Sequence, residues 1–471
     1  MNIDSCIHFV IEILRGGIIL KLSKRVLPAV ALTLAVSAST LLSAGQASAV
    51  QAVSVEKKQI KNIIFLIGDG MGTSYTSAYR YMKDDPSTKG MDKTVFDPYL
   101  VGAQMTYPDD DKQNVTDSAS AATAMSAGVK TYNAAIAVDP EQKEVKTVLE
   151  QAKENGKSTG LVATSEITHA TPAAFGAHDI SRKNMDAIAD DYYDELINGK
   201  HKVDVLLGGG KSNFVREGRD LTKEFQKAGF SYVTDRSSLL ADKNQQVLGL
   251  FADGGLDKLI DRSAATPSLA EMTNTAIDRL SSNDKGFFLM VEGSQIDWAG
   301  HDNDIVGAMS EMEDFAGAFQ AAIDFAKKDG ETLVVATADH STGGLTLGKD
   351  GEYNFFVDPI KAALRTPDFM AAQIAKGASV EETLKSYLKL ELKPEEIQSV
   401  KEAAKSADVT KIDNAIEAII DNRSYTGWTT GGHTGEDVPV YAYGPASHRF
   451  AGLIDNTDNA KIIFDILNKH Q

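Results

Sequence analysis

The sequence predicts an α/β fold, with a central, mostly parallel sheet sandwiched between helices and a helical insertion. Three observations carry that prediction. Short apolar runs recur along the chain, each ending in glycine or a polar side chain, as buried parallel strands do. Amphipathic helical patterns lie between them, and strand–helix alternation implies a sheet covered on both faces. The composition fits: 471 residues, 42% hydrophobic, 38 glycines and few aromatics describe a loop-rich globular chain with ample core.

Lys21, Lys24 and Arg25 precede an apolar stretch from Val26 to Ala44, and Ala47-Ser48-Ala49 supplies a small-residue cleavage pattern. Residues 1–49 therefore read as a signal peptide cut after Ala49, leaving 50–471 as the mature, secreted chain with no transmembrane anchor after processing. Asp4 and Glu12 are unusual in a leader, so residues 1–19 read as a spurious extension ahead of a start at Leu20. Cys6, the single cysteine, falls in the removed part, which excludes an internal disulfide and thiol chemistry from the mature protein.

The first strand is expected at Lys61–Ile67, ending in Gly68-Asp69-Gly70-Met71-Gly72. Others follow at Ser158–Thr164, Val203–Leu207, Gly286–Glu292 and Thr332–Ala338, and β-like runs resume at Val438–Tyr443. Thr147–Asn155 and Ile305–Lys328 read as helices between them. From about 349 to 428 the chain turns to Lys- and Glu-rich amphipathic helices at Ser379–Leu390, Lys393–Ser406 and Thr410–Asn422. This insertion either covers the site, meets a partner subunit or is an ordinary solvated subdomain.

The net charge of −18, or −20 once 1–49 is removed, excludes nucleic acid as a binding partner. The glycine turn at 68–73 has Thr73 where a dinucleotide turn needs its third glycine, and Val205 stands where a phosphate loop ending in Gly210-Lys211-Ser212 needs its first. Metal-ligating side chains, by contrast, gather at strand ends, where sites form in parallel sheets. Asp69 ends one strand and Glu292 another. Asp297 and His301, four apart, share a helix face; Asp339-His340 follow a third strand, and His433 sits in a glycine-flanked loop. Carboxylates with imidazoles and no sulfur suit zinc, with cobalt or manganese as alternatives. The run Asp117-Ser118-Ala119-Ser120-Ala121-Ala122 starts a small-residue helix that read alone is a packing helix, yet its first turn also favours an anion beside Ser118. His178, His201, His448 and His470 lack an acidic partner at useful spacing and read as surface or packing residues. Asp302 and Asp304 resemble a fragment of a calcium loop and are expected to be solvated.

Taken together, Gly68-Asp69-Gly70-Met71-Gly72, Asp117-Ser118-Ala119, Thr171-Pro172, Glu292…Asp297…His301, Asp339-His340 and Gly432-His433-Thr434 make the chain resemble the alkaline phosphatase family, particularly its bacillus-like branch. The resemblance implies that Asp297, His301 and His433 hold one zinc and Asp69, Asp339 and His340 a second. It implies a third, usually magnesium, site from Asp69, Thr171 and Glu292. Ser118 is the implied nucleophile and Arg182 the implied phosphate clamp. The enterobacterial branch has Asp where this chain has His169, and Lys where it has Trp298, so His169 joins the third site and that ion could instead be zinc or cobalt. The implied activity is hydrolysis of phosphate monoesters through a phosphoserine, with release of inorganic phosphate. A phosphodiesterase, a sulfatase and a non-catalytic metal-binding protein are the rival readings, and monomer and homodimer both stay open. Amino-terminal sequencing of the exported protein is expected to begin at Val50; a start further upstream counts against the leader.

Overall fold

The computed structural model describes residues 60–469 and, in addition, Ile13–Leu14 and Gly17–Ile18, which pair antiparallel. The leader, its cleavage point and His470 otherwise lie outside the described residues.

Ten strands form the main sheet: β1 (Asn62–Gly68), β2 (Leu100–Met105), β3 (Ser158–Glu166), β4 (Val205–Gly209), β5 (Ser231–Val233), β6 (Val247–Leu250), β7 (Phe287–Gly293), β8 (Thr332–Thr337), β9 (Val438–Tyr443) and β10 (Gly452–Asp455). Their order is β10-β2-β9-β8-β1-β7-β3-β4-β6-β5. From β8 through β5 every pairing is parallel, while β9 runs against both its neighbours, β8 and β2. The predicted α/β class is thus the observed one, and β9 makes the sheet mixed. Four short or peripheral strands, β2, β5, β6 and β10, carry too little apolar periodicity to stand out in the sequence.

The central strands are apolar on both faces because both are covered. Along β1, Ile63, Phe65 and Ile67 enter one core layer, while Ile64 and Leu66 enter the other. The covering helices that matter for the site are α1 (Thr73–Lys83), α2 (Ser118–Ala127), α3 (Ala170–Gly176), α4 (Gln295–Asp302), α5 (Ile305–Asp329), α6 (Pro367–Ala375), α7 (Val409–Ser424) and α8 (Asn456–Asn468). α2 packs on α3 and α8, and Ala119, Ala121, Ala122 and Ala124 are all fully buried. Only methyl-sized side chains admit that close approach. Gly128, at φ +74°, then ends the helix in a left-handed cap.

Strand register sets the site. Ile67 of β1 lies level with Glu292 of β7 and with Thr337 of β8. Asp69 and Asp339 therefore both fall two residues beyond that level, at the same carboxyl-terminal edge as Glu292. Asp302 is exposed, as expected, but Asp304 is not: it is 1% exposed and caps α5 through the Val306 N–H (2.9 Å). Between 349 and 428 the chain forms helices that include α6 and α7, which pack against one another. Among the described residues no helix is long and apolar enough to cross a membrane.

Leu289, fully buried in β7, makes a test of the core. Leu289→Ala is expected to cost about 2–5 kcal/mol, from lost transfer energy plus the cavity. Urea denaturation should show a lower midpoint with an unchanged slope.

Candidate active site

Asp69, Glu292, Asp297, Asp339 and His340 are each at most 3% exposed, and charged groups at that depth need compensation. The protein supplies only part of it. Asp339 Oδ1 accepts two backbone N–H groups, from Gly70 (3.0 Å) and His340 (2.9 Å), while its Oδ2 has no hydrogen-bond partner. Both oxygens of Asp69 and Glu292 Oε1 are equally unpartnered, as is Thr171 Oγ1. These oxygens converge: Asp69, Asp339 and His340 offer ligand atoms within 4.8 Å of one another, as do Asp69, Glu292 and His169. Asp69 belongs to both groups. Orphaned oxygens facing one another and an imidazole nitrogen are the donor set a divalent cation fits.

The second cluster is built from α4 and the 433 loop. His301 Nε2 lies 3.3 Å from Asp297 Oδ2 and 3.2 Å from His433 Nε2, and His433 Nε2 is 3.6 Å from Asp297 Oδ1. The rings of His340 and His433 stack at 3.6 Å, so the two clusters adjoin. Each ring is aimed by a bond on its far side. His301 Nδ1–H donates to Gly431 O (2.7 Å) and His433 Nδ1–H to Thr116 O (2.9 Å), which turns Nε2 of both rings toward the cluster. Thr342 Oγ1 donates to Asp297 Oδ1 and lies 3.3 Å from His340 Nδ1, performing the same office for the third ring. Gly70 makes this possible: at φ +70°, its missing Cβ would sit 2.8 Å from the Asp297 Cα.

Crowding of charge shows in the protonation equilibria. Burial, then the carboxylates of Asp339, Asp297 and Glu292, hold Asp69 well above the usual range. Burial pushes Glu292 up to about 7. Burial acts the same way on Asp297, but the hydrogen bond from His301 and the nearby imidazoles outweigh it and draw this carboxyl down. Reciprocally, the bond to Asp297 raises His301 to about 9. Burial, helped by His340, lowers His433 to about 4.

Ser118 is the first residue of α2, 1% exposed, with Oγ 3.2 Å from His340 Nε2. Asp117 caps that helix through the Ser120 N–H (2.9 Å), and its other oxygen holds Arg182 Nη1 at 3.1 Å. Arg182 Nη2 donates to His169 Nε2 at 3.0 Å. A guanidinium has no acceptor, so in this arrangement His169 carries its proton on Nδ1 and directs its lone pair to the arginine. Burial and the Arg182 charge lower His169 to about 3, keeping it neutral. Trp298 packs edge-on against His169, with ring centroids 5.7 Å apart. A cavity of about 530 Å³, lined by Thr116, Asp117, Asn133, His301 and His433 among others, opens onto this face.

All the sequence-predicted residues thus meet at one strand-end mouth. Thr342, Asp117 as the anchor of Arg182, and the Thr116 and Gly431 carbonyls carry no signal of their own in the sequence. Backbone acceptors leave no trace in a sequence, and Thr342 could have been found only through its place two residues after His340. Outside the site, His178 does have acidic partners: Glu150 Oε2 at 3.6 Å and Glu195 Oε2 at 3.8 Å, brought by the fold rather than by spacing. His201 packs among Tyr193, Phe225 and Phe230, as expected of a packing residue.

Comparison with known proteins agrees with this geometry. The family model described as Alkaline phosphatase matches residues 60–469. Alkaline phosphatase 3 of Bacillus subtilis is 68% identical over 451 residues, 95% of this chain and 98% of that one. Among solved structures, the cold-active alkaline phosphatase of a psychrophilic Shewanella is 42% identical at a TM-score of 0.82, covering 86% of this chain and 99% of its own. A mutant of the TAB5 alkaline phosphatase with Mg bound in its M3 site is 32% identical at a TM-score of 0.64, covering 88% and 99%. The chain belongs to the alkaline phosphatase family, a metal-dependent one, and to its Bacillus-like branch. Its class is therefore phosphoric monoester hydrolase.

His301 yields a pH dependence with a definite sign. Its folded value of about 9 lies above the free-histidine value, so up to that pH a divalent cation must displace a proton from it. Affinity for the cation is expected to rise from neutral pH to about 9 and then level off, in competition titrations against a chelator. A pH-independent affinity over that range would contradict the ligand role of His301.

Proposed function

We propose that this protein is a secreted phosphomonoesterase that works through a phosphoserine on Ser118, with two zinc ions and a third ion, usually magnesium. The observation that carries the reading is the position of Ser118 Oγ, 3.2 Å from His340 Nε2, where the cluster of Asp69 and Asp339, whose buried oxygens lack partners, adjoins the cluster of Asp297, His301 and His433. Asp297, His301 and His433 would hold one zinc, and Asp69, Asp339 and His340 the other. Asp69, Thr171 and Glu292 would hold the third ion. His169 sits at that third group but turns Nε2 to Arg182, which supports a role in positioning the arginine.

The chemistry the cations supply when bound is positive charge, which stabilises a serine alkoxide and the charge developing on the departing oxygen. Everything else falls to the chain. Ser118 presents Oγ for in-line attack on phosphorus; the bond to the alcohol oxygen breaks, and that oxygen leaves opposite the serine. Water then cleaves the phosphoserine and releases inorganic phosphate. Arg182 offers two parallel N–H donors to two phosphoryl oxygens, a fork that lysine does not have. Asp117 and His169 fix that fork before substrate arrives, so little ordering remains to be done in the transition state. A small-residue helix start leaves room for the phosphoryl group beside Ser118. Substrates are small phosphate monoesters admitted through the open cavity. The 349–428 segment is read as an insertion in a single catalytic domain spanning 50–471, and residues 1–49 as the export signal.

Ser118→Ala is expected to reduce turnover of an aryl phosphate by on the order of 10³-fold or more, with bound metal unchanged. Arg182→Ala should lower kcat/KM on the order of 10²-fold, and Arg182→Lys should recover little of it. Full turnover in Ser118→Ala would remove the phosphoserine from the mechanism. Metal analysis should find two zinc equivalents, and EDTA should abolish activity until zinc is restored; activity indifferent to EDTA would defeat the reading.

A further inference from the structure

Asn133 stands where three parts of the site meet, and both polar atoms of its side chain are engaged. Its Oδ1 accepts the Asp117 N–H (2.9 Å) and lies 2.8 Å from Ser120 Oγ, so it grips the start of α2 on both sides of Ser118. Its Nδ2 donates to Val115 O (3.0 Å) and Gln113 Oε1 (2.9 Å) in the cavity wall, and its backbone N–H donates to Asp110 Oδ2 (3.1 Å). The amide can sit only this way round, because a backbone N–H faces one atom and a carbonyl the other. Ala134 continues the grip. Its N–H donates to Asp117 Oδ2 (2.9 Å), the oxygen that also holds Arg182 Nη1 (3.1 Å), and its carbonyl accepts the Arg182 N–H (2.8 Å). Further along, Ile136 and Asp179 exchange backbone bonds in both directions at 2.9 Å. Ala134 takes φ +77°, a left-handed backbone that costs an alanine free energy and persists only where its surroundings demand it. That turn aims its N–H at Asp117 and its carbonyl at Arg182.

We propose that Asn133, with Ala134, is a positioning residue for the phosphoryl transfer: it fixes the start of α2, and so Ser118, against Arg182. The inference rests on the reading of Ser118 as nucleophile and Arg182 as clamp. These two come from separate segments, and a fork that binds two phosphoryl oxygens helps only if it stands at a set distance from the attacking oxygen. Asp117 alone does not set that distance, since a carboxylate free to swing would carry the guanidinium with it. With Asn133 on the Asp117 N–H and Ala134 on Oδ2, both ends of Asp117 are tied. Arg182 is then held at its backbone by Ala134 and at its guanidinium by Asp117. Asn133 lines the cavity, yet both N–H groups of its Nδ2 are occupied by Val115 and Gln113. It therefore acts through Asp117 and Arg182 rather than on the phosphoryl group.

The test measures equilibrium binding of inorganic phosphate to the full mature enzyme with zinc and magnesium saturating and constant. It compares Asn133→Ala, Arg182→Ala and the double variant, beside the kinetics of aryl phosphate hydrolysis. Phosphate reads the clamp without turnover. Asn133→Ala is expected to weaken phosphate binding about 10-fold and to lower kcat on the order of 10-fold to 10²-fold, with zinc content unchanged. In the Arg182→Ala background the same change should cost less than about 2-fold in phosphate affinity, because the clamp it aims is gone. A residue that merely supports the loop would cost the same in both backgrounds. Asn133→Ser, whose hydroxyl is too short to span Asp117 and Val115, should repeat the pattern and carries the test if Asn133→Ala does not fold. Wild-type phosphate affinity in the Asn133 variants, or equal losses with and without Arg182, overturns the proposal. Unchanged phosphate affinity in Arg182→Ala overturns the clamp reading and this inference with it.

Discussion

The structure depends above all on negative charge held at the carboxyl edge of the sheet. Parallel pairing of β1, β7 and β8 in one register brings Asp69, Glu292 and Asp339 into the same buried volume. Three carboxylates in a low-dielectric setting repel one another, and Asp69 and Glu292 resist ionisation there. Only a concentrated positive charge relieves that repulsion without disturbing the strands. The fold therefore holds its carboxylates in place by core packing and leaves their inner oxygens free, which suits a catalytic centre whose working charge comes from bound cations.

The surrounding side chains follow from that constraint. Imidazoles with Nδ1 tied to backbone carbonyls can turn only Nε2 inward, and Asp339 has one oxygen tied by two amides for the same reason. Arg182 is held by Asp117, the residue that also starts the Ser118 helix, so the proposed nucleophile and the proposed clamp share one anchor. Packing and chemistry at that helix are not alternatives: its alanines bury themselves against α3 and α8, and the same smallness clears the space at Ser118.

Much of the fold and most of the candidate site could be read along the chain. Strands β1, β7 and β8 announce themselves as unbroken apolar runs because they are covered on both faces, and each runs straight into a candidate ligand. Asp297 and His301 are legible because helical spacing is local. The peripheral β2, β5, β6 and β10 were not, nor was the antiparallel direction of β9, since direction and edge position are decided by partners distant in sequence. His178 looked isolated for the same reason: Glu150 and Glu195 reach it from separate segments.

By itself, the sequence determined which residues end the strands, the residue types available as ligands, and the small-residue start at Ser118. Each rests on local chemistry: apolar periodicity, helical spacing, or the size of a side chain. Tertiary structure alone decided the register that levels Asp69 with Asp339, the carbonyls that aim the histidines, and the turn of His169 toward Arg182. It also decided that Asp304 is buried, where the sequence had suggested a solvated residue. Burial and long-range pairing are properties of the packed chain, and no local pattern encodes them.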